Sequence, residues 1–251
     1  MSMQIVVVLK RVPDTDTRVR VAEDGFSLDP GGVRYVTNPY DEFALEAALR
    51  IREERGEGEI TAITLGEESA QEMLRGALAA GADRAILLRG RAGSDGSAVA
   101  RALLPEVEAL GPDLVLFGMK TIDDDQEQLG PMLATMLRLP CATAVSEFEI
   151  EGSHLRCRRE VEGAREWVQL PLPAALTITK GAYEPRHPSL KGIMAAKKKP
   201  LDVRDVIVPP GRMRVVEMRL PPERQGAKFI GEGPDAVPEL VRRLRGEAGV
   251  L

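Results

Sequence analysis

The chain has little of the side-chain chemistry on which most catalytic and metal sites depend. Its 251 residues include two cysteines and two histidines. Cys141 and Cys157 form neither a C-x-x-C pair nor a zinc-ligand spacing, so we expect reduced thiols in a cytoplasmic protein. Zinc chemistry and histidine-based triads therefore have little material to work with, and the sequence is poorly equipped for catalysis.

Long apolar runs and several short catalytic motifs are also missing. No run approaches the ~20 residues that a membrane span requires, so we expect no membrane insertion. Gln4–Leu9 is a short β-type run, and the charged loop after it lacks the cleavage site of a signal peptide. The P-loop pattern, a G-x-G-x-x-G after the first strand and the G-x-S-x-G elbow are all absent from the sequence.

One basic segment contrasts with an otherwise acidic chain. The net charge is −5, yet Glu184–Pro200 (EPRHPSLKGIMAAKKKP) contains no acid after its first residue. Its cations are Arg186, Lys191, Lys197, Lys198 and Lys199. The segment also displays Leu190, Ile193 and Met194, which a solvating loop would not need, so it suits docking on a protein. The alternative is a solvated lysine run over a small apolar cluster. The absence of interleaved aromatics argues against nucleic-acid binding.

Hydrophobic periodicity predicts strands that alternate with helices over the first half of the chain. The predicted strands are Gln4–Lys10, Glu59–Leu65, Arg84–Leu88 and Leu114–Gly118. The predicted helices begin at Asn38-Pro39, or run from Gly66 to Ala80, from Ser97 to Leu110 with a kink or split at Pro105, and from Asp125 to Leu137. This order favours right-handed crossovers and a parallel sheet.

The hydrophobic period changes after Pro140. Three antiparallel strands are predicted between residues 142 and 170, and Ala174–Thr179 then returns to the main sheet. Asp202–Lys228 reads as irregular, before an amphipathic helix near Asp235–Arg245. We therefore predict an α/β fold with a mainly parallel, doubly wound sheet, an antiparallel extension and a C-terminal arm. The expected divisions are a domain at 1–183, the basic segment at 184–200 and the arm at 201–251.

Ligands of open parallel sheets bind at the carboxyl ends of the strands. The loops expected there are Arg11–Thr15, Leu65–Glu68 and Gly118–Gln128, with the start of the helix after Asn38 close by. Gly118 permits close approach of the backbone, and the free amides of the following helix could hold a phosphate. This pattern makes nucleotide binding one hypothesis for the site.

Three consecutive acids in the third loop complicate that hypothesis. Asp123, Asp124 and Asp125 would repel a phosphate. They could instead accept hydrogen bonds from ribose hydroxyls, hold a cation, or cap the helix, which is favourable by ~0.5–2 kcal/mol. The sequence alone leaves these alternatives open.

Other polar and aromatic residues have mainly structural interpretations. Asn38 is a good N-cap for the helix that follows it. Glu160 and Glu162 lie two apart on one predicted strand, where a salt bridge is a better interpretation than acid–base catalysis. Tyr40 is expected to pack at the helix start or to touch a flat ligand, and Trp167 is expected to pack within its strand.

Five stretches in order resemble the electron transfer flavoprotein β-subunit family. They are VVVLKRVPD (Val6–Asp14), TNPYDEFALEAALR (Thr37–Arg50), GADRAI (Gly81–Ile86), GMKTIDDDQEQLGP (Gly118–Pro131) and EPRHPSLKGIMAAKKKP (Glu184–Pro200). Each motif alone is modest evidence, but five in the right order, ending in the distinctive last one, are highly specific.

The resemblance implies an electron-carrier subunit rather than an enzyme. In this family a heterodimer forms, the α subunit carries the redox-active FAD, and the β subunit holds a structural AMP and wraps its partner with an arm. The resemblance implies an AMP site formed by Val8, Asn38, Pro39, Tyr40, Asp41, Leu65, Gly118, Met119, Lys120, Thr121, Ile122, Asp123, Asp124, Asp125, Gln126, Glu127, Gln128 and Leu129. It also implies that Tyr40 lies near the flavin and that Glu160 pairs with the mobile flavin domain.

The resemblance assigns Glu184–Pro200 to a loop that docks on dehydrogenases. Leu190 corresponds to the leucine that enters an apolar pocket on acyl-CoA dehydrogenases of fatty acid β-oxidation. Ile193 and Met194 are expected to seat the loop. A membrane quinone oxidoreductase would then accept the electrons for the respiratory chain.

One branch of the family binds a second FAD where other members bind AMP. Those electron-bifurcating members carry a loop resembling D-G-D-T. Here Asp124 occupies the glycine position and Gln126 the threonine position, which favours AMP because a carboxylate would crowd and repel a second phosphate. Two other classes remain as alternatives: an ATP-using enzyme of the same fold, and a nucleotide-sensing module without a redox role. The sequence KRVPD after the first strand argues against the former, and the long arm argues against the latter.

Overall fold

A computed structural model describes residues 2–90, 95–222 and 226–251. Residues 1 and 91–94 of the expected domain, and residues 223–225 of the expected arm, lie outside the described residues. The chain divides into two compact units, Met1–Met218 and Arg219–Leu251. The residues of the candidate site belong to the first unit.

The first unit is built on a large, mostly parallel sheet. In chain order the strands are β1 (Gln4–Val8), β2 (Arg11–Pro13), β3 (Tyr35–Thr37), β4 (Glu59–Gly66), β5 (Arg84–Arg89), β6 (Leu114–Gly118), β7 (Cys141–Glu151), β8 (His154–Val161), β9 (Ala164–Pro171), β10 (Ala174–Ile178) and β11 (Leu201–Asp205). Among the described residues, nine strands pair in the order β11-β5-β4-β1-β6-β10-β7-β8-β9. Neighbours from β11 to β7 are parallel, and β7, β8 and β9 are antiparallel. The predicted fold class is confirmed.

Helices cover both faces of this sheet. In the first unit they are α1 (Pro39–Arg55), α2 (Ala70–Ala80), α3 (Gly96–Leu110), α4 (Leu129–Met136) and α5 (Leu190–Ala196). Strand β1 contributes to both layers of the core because its side chains alternate. Ile5 and Val7 share one buried cluster with α1 and α2, whereas Val6 and Val8 share the other with α3 and α4. A strand buried on both faces accounts for the continuous apolar run in the sequence.

The order of the strands creates a topological switch point. From β1 the chain continues to β4 and β5 on one side, and it then crosses to β6 on the other side of β1. Crossover connections therefore diverge at the carboxyl ends of β1 and β6, which is where open α/β sheets bind ligands.

Helices α2 and α3 differ from their predictions. Helix α2 begins at Ala70 rather than Gly66, because β4 continues through Gly66 before the chain turns. Helix α3 is not split at Pro105 and continues to Leu110. Its first turn is capped by Asp95, whose Oδ1 accepts from the N–H of Ser97 at 2.8 Å.

The region expected to be irregular after Asp202 begins with a strand. Residues Leu201–Asp205 form β11, which pairs in parallel with β5 at the edge of the sheet. Ion pairs connect the two strands, Arg84 with Asp202 at 3.0 Å and Arg89 with Asp205 at 2.6 Å. The strand was not predicted because three of its five residues are charged, although charged side chains are common on edge strands.

The antiparallel extension is exposed over much of its surface. Trp167 on β9 is 46% exposed, and the guanidinium of Arg156 on β8 stacks over its ring at 4.3 Å. The prediction that Trp167 packs within its strand thus holds only in part, because one neighbour covers it across the sheet.

The second unit contains helical turns close to the predicted position. A 3₁₀ turn (Pro234–Ala236) leads into α6 (Val237–Arg243), and a π-helical turn (Leu244–Ala248) follows. Glu239 accepts from both Arg242 and Arg243 at 2.7 and 2.8 Å, pairs spaced by one helical turn.

Candidate functional site

A cleft of about 930 Å³ lies at the carboxyl ends of β1, β4 and β6, at the topological switch point. This volume is within the usual range of small-molecule sites. Most of the predicted site residues line it: Val8, Asp41, Leu65, Gly118, Met119, Lys120, Thr121, Ile122, Asp123, Asp124, Gln126, Glu127, Gln128 and Leu129. Asn38, Pro39, Tyr40 and Asp125 lie outside its walls.

A buried carboxylate joins three elements at the base of this cleft. Asp41 in the first turn of α1 is 4% exposed. One oxygen accepts from the N–H of Lys10 at 2.7 Å, and the other accepts from the N–H of Gly118 at 3.1 Å and from the amide of Asn38 at 2.9 Å. Burial raises the pKa of Asp41 to about 7, although these three donors favour the ionised form. Asp41 thus ties the ends of β1 and β6 to the start of α1.

Asn38 positions the loop after β6 instead of capping α1 with its side chain. Its buried amide donates to Asp41 and to the carbonyl of Lys120 at 2.8 Å, and its Oδ1 accepts from the N–H of Ile122 at 3.2 Å. Asn38 is the N-cap residue of α1, as predicted, but its side chain makes no capping hydrogen bond, because both of its polar atoms bond to Asp41 and to the loop after β6. Asn38 acts on the site from behind its wall.

Tyr40 packs at the start of α1, as one of the two sequence interpretations expected. Its ring meets Phe43 edge-on with centroids 6.1 Å apart, and the ammonium of Lys120 lies 5.8 Å from its centroid. Lys120 also pairs with Asp125 at 3.2 Å. These contacts hold a half-buried aromatic ring beside the cleft rather than in it.

Lys10 lines the cleft although it was not among the predicted site residues. Its ammonium lies 2.9 Å from both Asp123 and Asp124 and 3.3 Å from the hydroxyl of Thr121. Burial opposes the charge of Lys10, but the two aspartates outweigh it and raise the lysine pKa. Burial likewise opposes ionisation of Asp124, yet Thr121 and Lys10 lower its pKa. A lysine directly after a buried strand, at the same sheet edge as an acidic loop, was the available signal.

The acidic loop is longer than the sequence predicted, because α4 begins four residues later than the expected start at Asp125. Helix α4 begins at Leu129, so Asp123, Asp124 and Asp125 neither cap it nor lie in its first turn. Asp125 and Glu127 have φ angles of 49° and 55°, in the left-handed region, so a helix cannot start there. In the described residues, no group of three or more acidic, histidine or cysteine side chains is arranged to hold a metal ion.

The basic segment is bound firmly to the body of the unit. Arg186 forms ion pairs with Glu46 at 2.7 Å and with Glu53 at 2.5 Å. Lys199 donates to the carbonyls of Leu78 and Ala82 at 3.1 and 2.6 Å, at the end of α2. Burial lowers the pKa of Lys199. Two of the five cations are therefore structural and do not simply face solvent.

The centre of the segment is the short helix α5, with an apolar outer face. Leu190, Ile193 and Met194 are 82%, 46% and 72% exposed, and their spacing places them on one side of the helix. The expectation that Ile193 and Met194 seat the loop is therefore wrong. Ala196 is buried, and Gly192 brings its backbone against the carbonyl of Ala79 at the end of α2, which leaves no room for a side chain.

Glu160 lies on β8 with two close partners. It accepts from the hydroxyl of Ser146 at 3.0 Å and from Arg165 at 3.1 Å. The hydrogen bond from Ser146, followed by that from Arg165, lowers the pKa of Glu160. Glu162 lies in the turn between β8 and β9, so the prediction that both glutamates share a strand face is wrong.

The fold and the cleft define a doubly wound α/β protein with a small-molecule site at the switch point. The sequence pattern of the electron transfer flavoprotein domain matches residues 26–209. A Bacillus subtilis protein is 37% identical over 261 residues (99% of this chain, 100% of the relative), and one from Bradyrhizobium diazoefficiens is 38% identical over 253 residues (99% and 100%). A human relative is 35% identical over 250 residues (95% and 96%). All three are named electron transfer flavoprotein subunit beta.

The chain belongs to the electron transfer flavoprotein β-subunit family, as the resemblance predicted. Membership supports a role in electron transfer, as a carrier rather than a catalytic enzyme. None of the helices in the described parts of the chain combines the length and apolar character needed to cross a membrane.

Proposed function

We propose that this chain is the β subunit of a heterodimeric electron transfer flavoprotein and holds AMP as a structural nucleotide. The cleft at the switch point is the observation that carries this proposal. Val8, Leu65 and Leu129 give it apolar walls suited to a flat base, and the loop of residues 118–128 gives it a polar rim suited to ribose and phosphate. AMP supplies no redox chemistry in this role and completes the packing between the loops.

The redox-active FAD belongs mainly to the α subunit in this proposal. Two residues of this chain, Tyr40 and Glu160, would then face the α subunit. Tyr40 is held half-buried by Phe43 and Lys120, which supports a position beside the flavin. Glu160 is ionised at neutral pH, and its partner Arg165 is 67% exposed, so the glutamate can exchange this arginine for a cation of the flavin domain.

The C-terminal part of the chain has the exposed apolar surface expected of an arm that covers the α subunit. Ile207 and Val216 are 97% and 78% exposed, and Phe229 in the second unit is 80% exposed. Isolated exposed residues are common, but several within one stretch support a covered surface. We assign residues 206–251 to this role, beginning after the strand β11.

Docking of dehydrogenases, acyl-CoA dehydrogenases among them, is assigned to the outer face of α5. Its helix is fixed to α1 and α2 from behind, so Leu190 can enter a pocket without reordering the segment. Burial of one leucine contributes ~1.5–3 kcal/mol, which suits brief and repeated docking. The exposed Lys191, Lys197 and Lys198 would steer the face towards acidic surfaces, an effect that salt weakens. The electrons then pass to a membrane quinone oxidoreductase.

Replacement of Leu190 by alanine tests the docking role. The Leu190→Ala heterodimer is expected to show a KM for the donor dehydrogenase raised by about tenfold, with an unchanged kcat, because uniform binding is lost. The measurement is the rate of flavin reduction at a series of dehydrogenase concentrations. Phe26→Ala, which removes an exposed aromatic outside the segment, serves as the control and should change neither constant. An unchanged KM in Leu190→Ala would contradict the anchoring role.

A second FAD is the competing occupant of the cleft. Asp124 supports AMP because Lys10 and Thr121 hold its carboxylate within the acidic loop, where it would oppose a second phosphate.

The cysteines bear on where the protein is located. Cys141 and Cys157 are both free thiols, which supports our proposal that the protein is cytoplasmic.

A further inference from the structure

The cleft is more acidic than a nucleotide phosphate would favour. Among the described residues, six carboxylates line it: Asp14, Asp41, Glu67, Asp123, Asp124 and Glu127. The cations along its wall are Lys10, Arg11 and Lys120. An anionic ligand therefore has to enter against an excess of negative charge, unless local pairing removes it.

Lys10 provides this pairing where the acids are densest. Arg11 stacks over the ring of Tyr35 at 4.0 Å, and Lys120 pairs with Asp125 outside the cleft wall. Lys10 alone of these three contacts Asp123 and Asp124, at 2.9 Å each. Asp123 and Asp124 together carry a formal charge of −2, and the ammonium of Lys10 reduces the local sum to −1.

Lys10 is also well placed to hold the loop in position. Its backbone N–H is fixed by Asp41, and its ammonium reaches across to the turn of Asp123 and Asp124. Asp125 and Glu127 in the same loop adopt left-handed φ angles of 49° and 55°. Such backbone is strained for residues other than glycine and needs tertiary contacts to persist.

We propose that Lys10 is a positioning residue for the nucleotide phosphate: it tethers the acidic loop and cancels part of its charge, so that a monoanionic or dianionic phosphate can enter. This role rests on the proposed nucleotide function of the cleft. It requires no direct contact between Lys10 and the phosphate. The discriminating property is the charge of the ligand, because adenosine presents the same base and ribose without the phosphate.

The test compares AMP and adenosine on the intact heterodimer, with nucleotide removed by exhaustive dialysis and binding measured by equilibrium titration. Lys10→Gln should weaken AMP binding by about tenfold more than it weakens adenosine binding, because the loss of the tether affects both ligands whereas the loss of the charge affects AMP alone. Lys10→Arg, which keeps the charge, should retain AMP affinity. Lys10→Gln combined with Asp124→Asn should recover most of the lost affinity, because the removed cation and the removed anion compensate.

Each contrary result has a separate meaning. Equal losses for AMP and adenosine would show a general collapse of the cleft and would overturn the charge-based role. If the double variant bound AMP no more tightly than Lys10→Gln, charge compensation would be overturned. Unchanged AMP affinity in Lys10→Gln would overturn the role of Lys10 itself. Failure of the wild-type heterodimer to bind AMP at all would instead contradict the proposed function, and this role with it.

Discussion

Gly118 shows how closely the cleft depends on single residues. A Cβ at this position would lie 2.7 Å from the backbone nitrogen of Asp41 and the carbonyl carbon of Tyr40. Both neighbours belong to the first turn of α1, which cannot move away without breaking the hydrogen bonds that Asp41 receives. The glycine thus permits the end of β6 and the start of α1 to meet.

Gly118→Ala should therefore destabilise the protein by about 2 kcal/mol or more, since the added methyl group would meet backbone atoms and the hydrogen-bonded carboxylate of Asp41 rather than the end of a flexible side chain. Gly76→Ala is the matched control, because nothing lies within 4 Å of its added methyl group on α2. That substitution should be neutral or stabilise by up to ~1 kcal/mol. Urea unfolding measures both, and equal stability of the two variants would contradict the close approach at Gly118.

Asp41 should contribute a pH dependence to stability. Burial raises its pKa from 3.8 to about 7 in the folded chain, so the folded state binds the proton more tightly than the unfolded state. Stability from this group is present below pH 3.8 and is lost as the pH rises towards about 7. Asp41→Asn should lower stability overall but flatten this part of the curve. Unfolding midpoints across the pH range provide the test, and an unaltered slope in the variant would contradict it.

The residue scale is also where prediction from sequence was weakest. The membership of Asp41 and Gly118 in the site could be predicted from motifs at the ends of strands. The partners of Asn38 and Lys10 could not, because their contacts join positions more than 80 residues apart. Local sequence alone explained Asn38 as an N-cap residue and Lys10 as the end of a buried strand, so neither pattern indicated a contact with the loop after β6.

At the scale of elements, α5 depends on contacts behind it. Arg186 connects the segment to α1 through Glu46, which is 3% exposed, and through Glu53. Arg75 of α2 donates to the carbonyls of Ala196 and Lys199 at 2.7 and 2.9 Å and so closes the carboxyl end of α5. The exposed apolar face of α5 is therefore supported from behind by contacts with α1 and α2.

Arg186→Met should destabilise the protein by about 1–2 kcal/mol, because it leaves the buried Glu46 with Arg50 as its remaining cation. The amides of α5 should also exchange with solvent faster. Arg34→Met is the control: its guanidinium is 81% exposed and 3.6 Å from Asp14, so its loss should cost less than about 0.5 kcal/mol. Hydrogen exchange together with urea unfolding measures the difference. Unchanged exchange in α5 would contradict the supporting role of Arg186.

Elements with a strong hydrophobic period were predictable, whereas those defined by tertiary contacts were not. The strands β1, β4 and β6 follow from continuous apolar runs. Strand β11 was missed because its charged residues are paired with Arg84 and Arg89 of β5, which the local pattern does not reveal. The late start of α4 follows from left-handed backbone at Asp125 and Glu127, which no propensity rule anticipates.

At the scale of the whole molecule, the family and the position of the site were predicted from the resemblance to a known family rather than from composition. Composition indicated an acidic protein with few catalytic side chains, and hydrophobic periodicity indicated an α/β fold. The five ordered motifs identified the family, and the sheet order then explained why residues of three of them meet in the cleft, since β1, β4 and β6 end at the same edge. The cleft at the strand ends and the exposed apolar face of α5, which we propose for partner docking, are separate surfaces of the first unit.

The nucleotide content of the native heterodimer is the most direct test of the proposed AMP site. The complex is purified without added nucleotide and denatured, and the released small molecules are identified and quantified by mass spectrometry. One AMP and one FAD per heterodimer are expected, since we propose that the cleft holds AMP and the α subunit holds the flavin. Release of two FAD and no AMP would contradict this proposal and would establish a second flavin in the cleft.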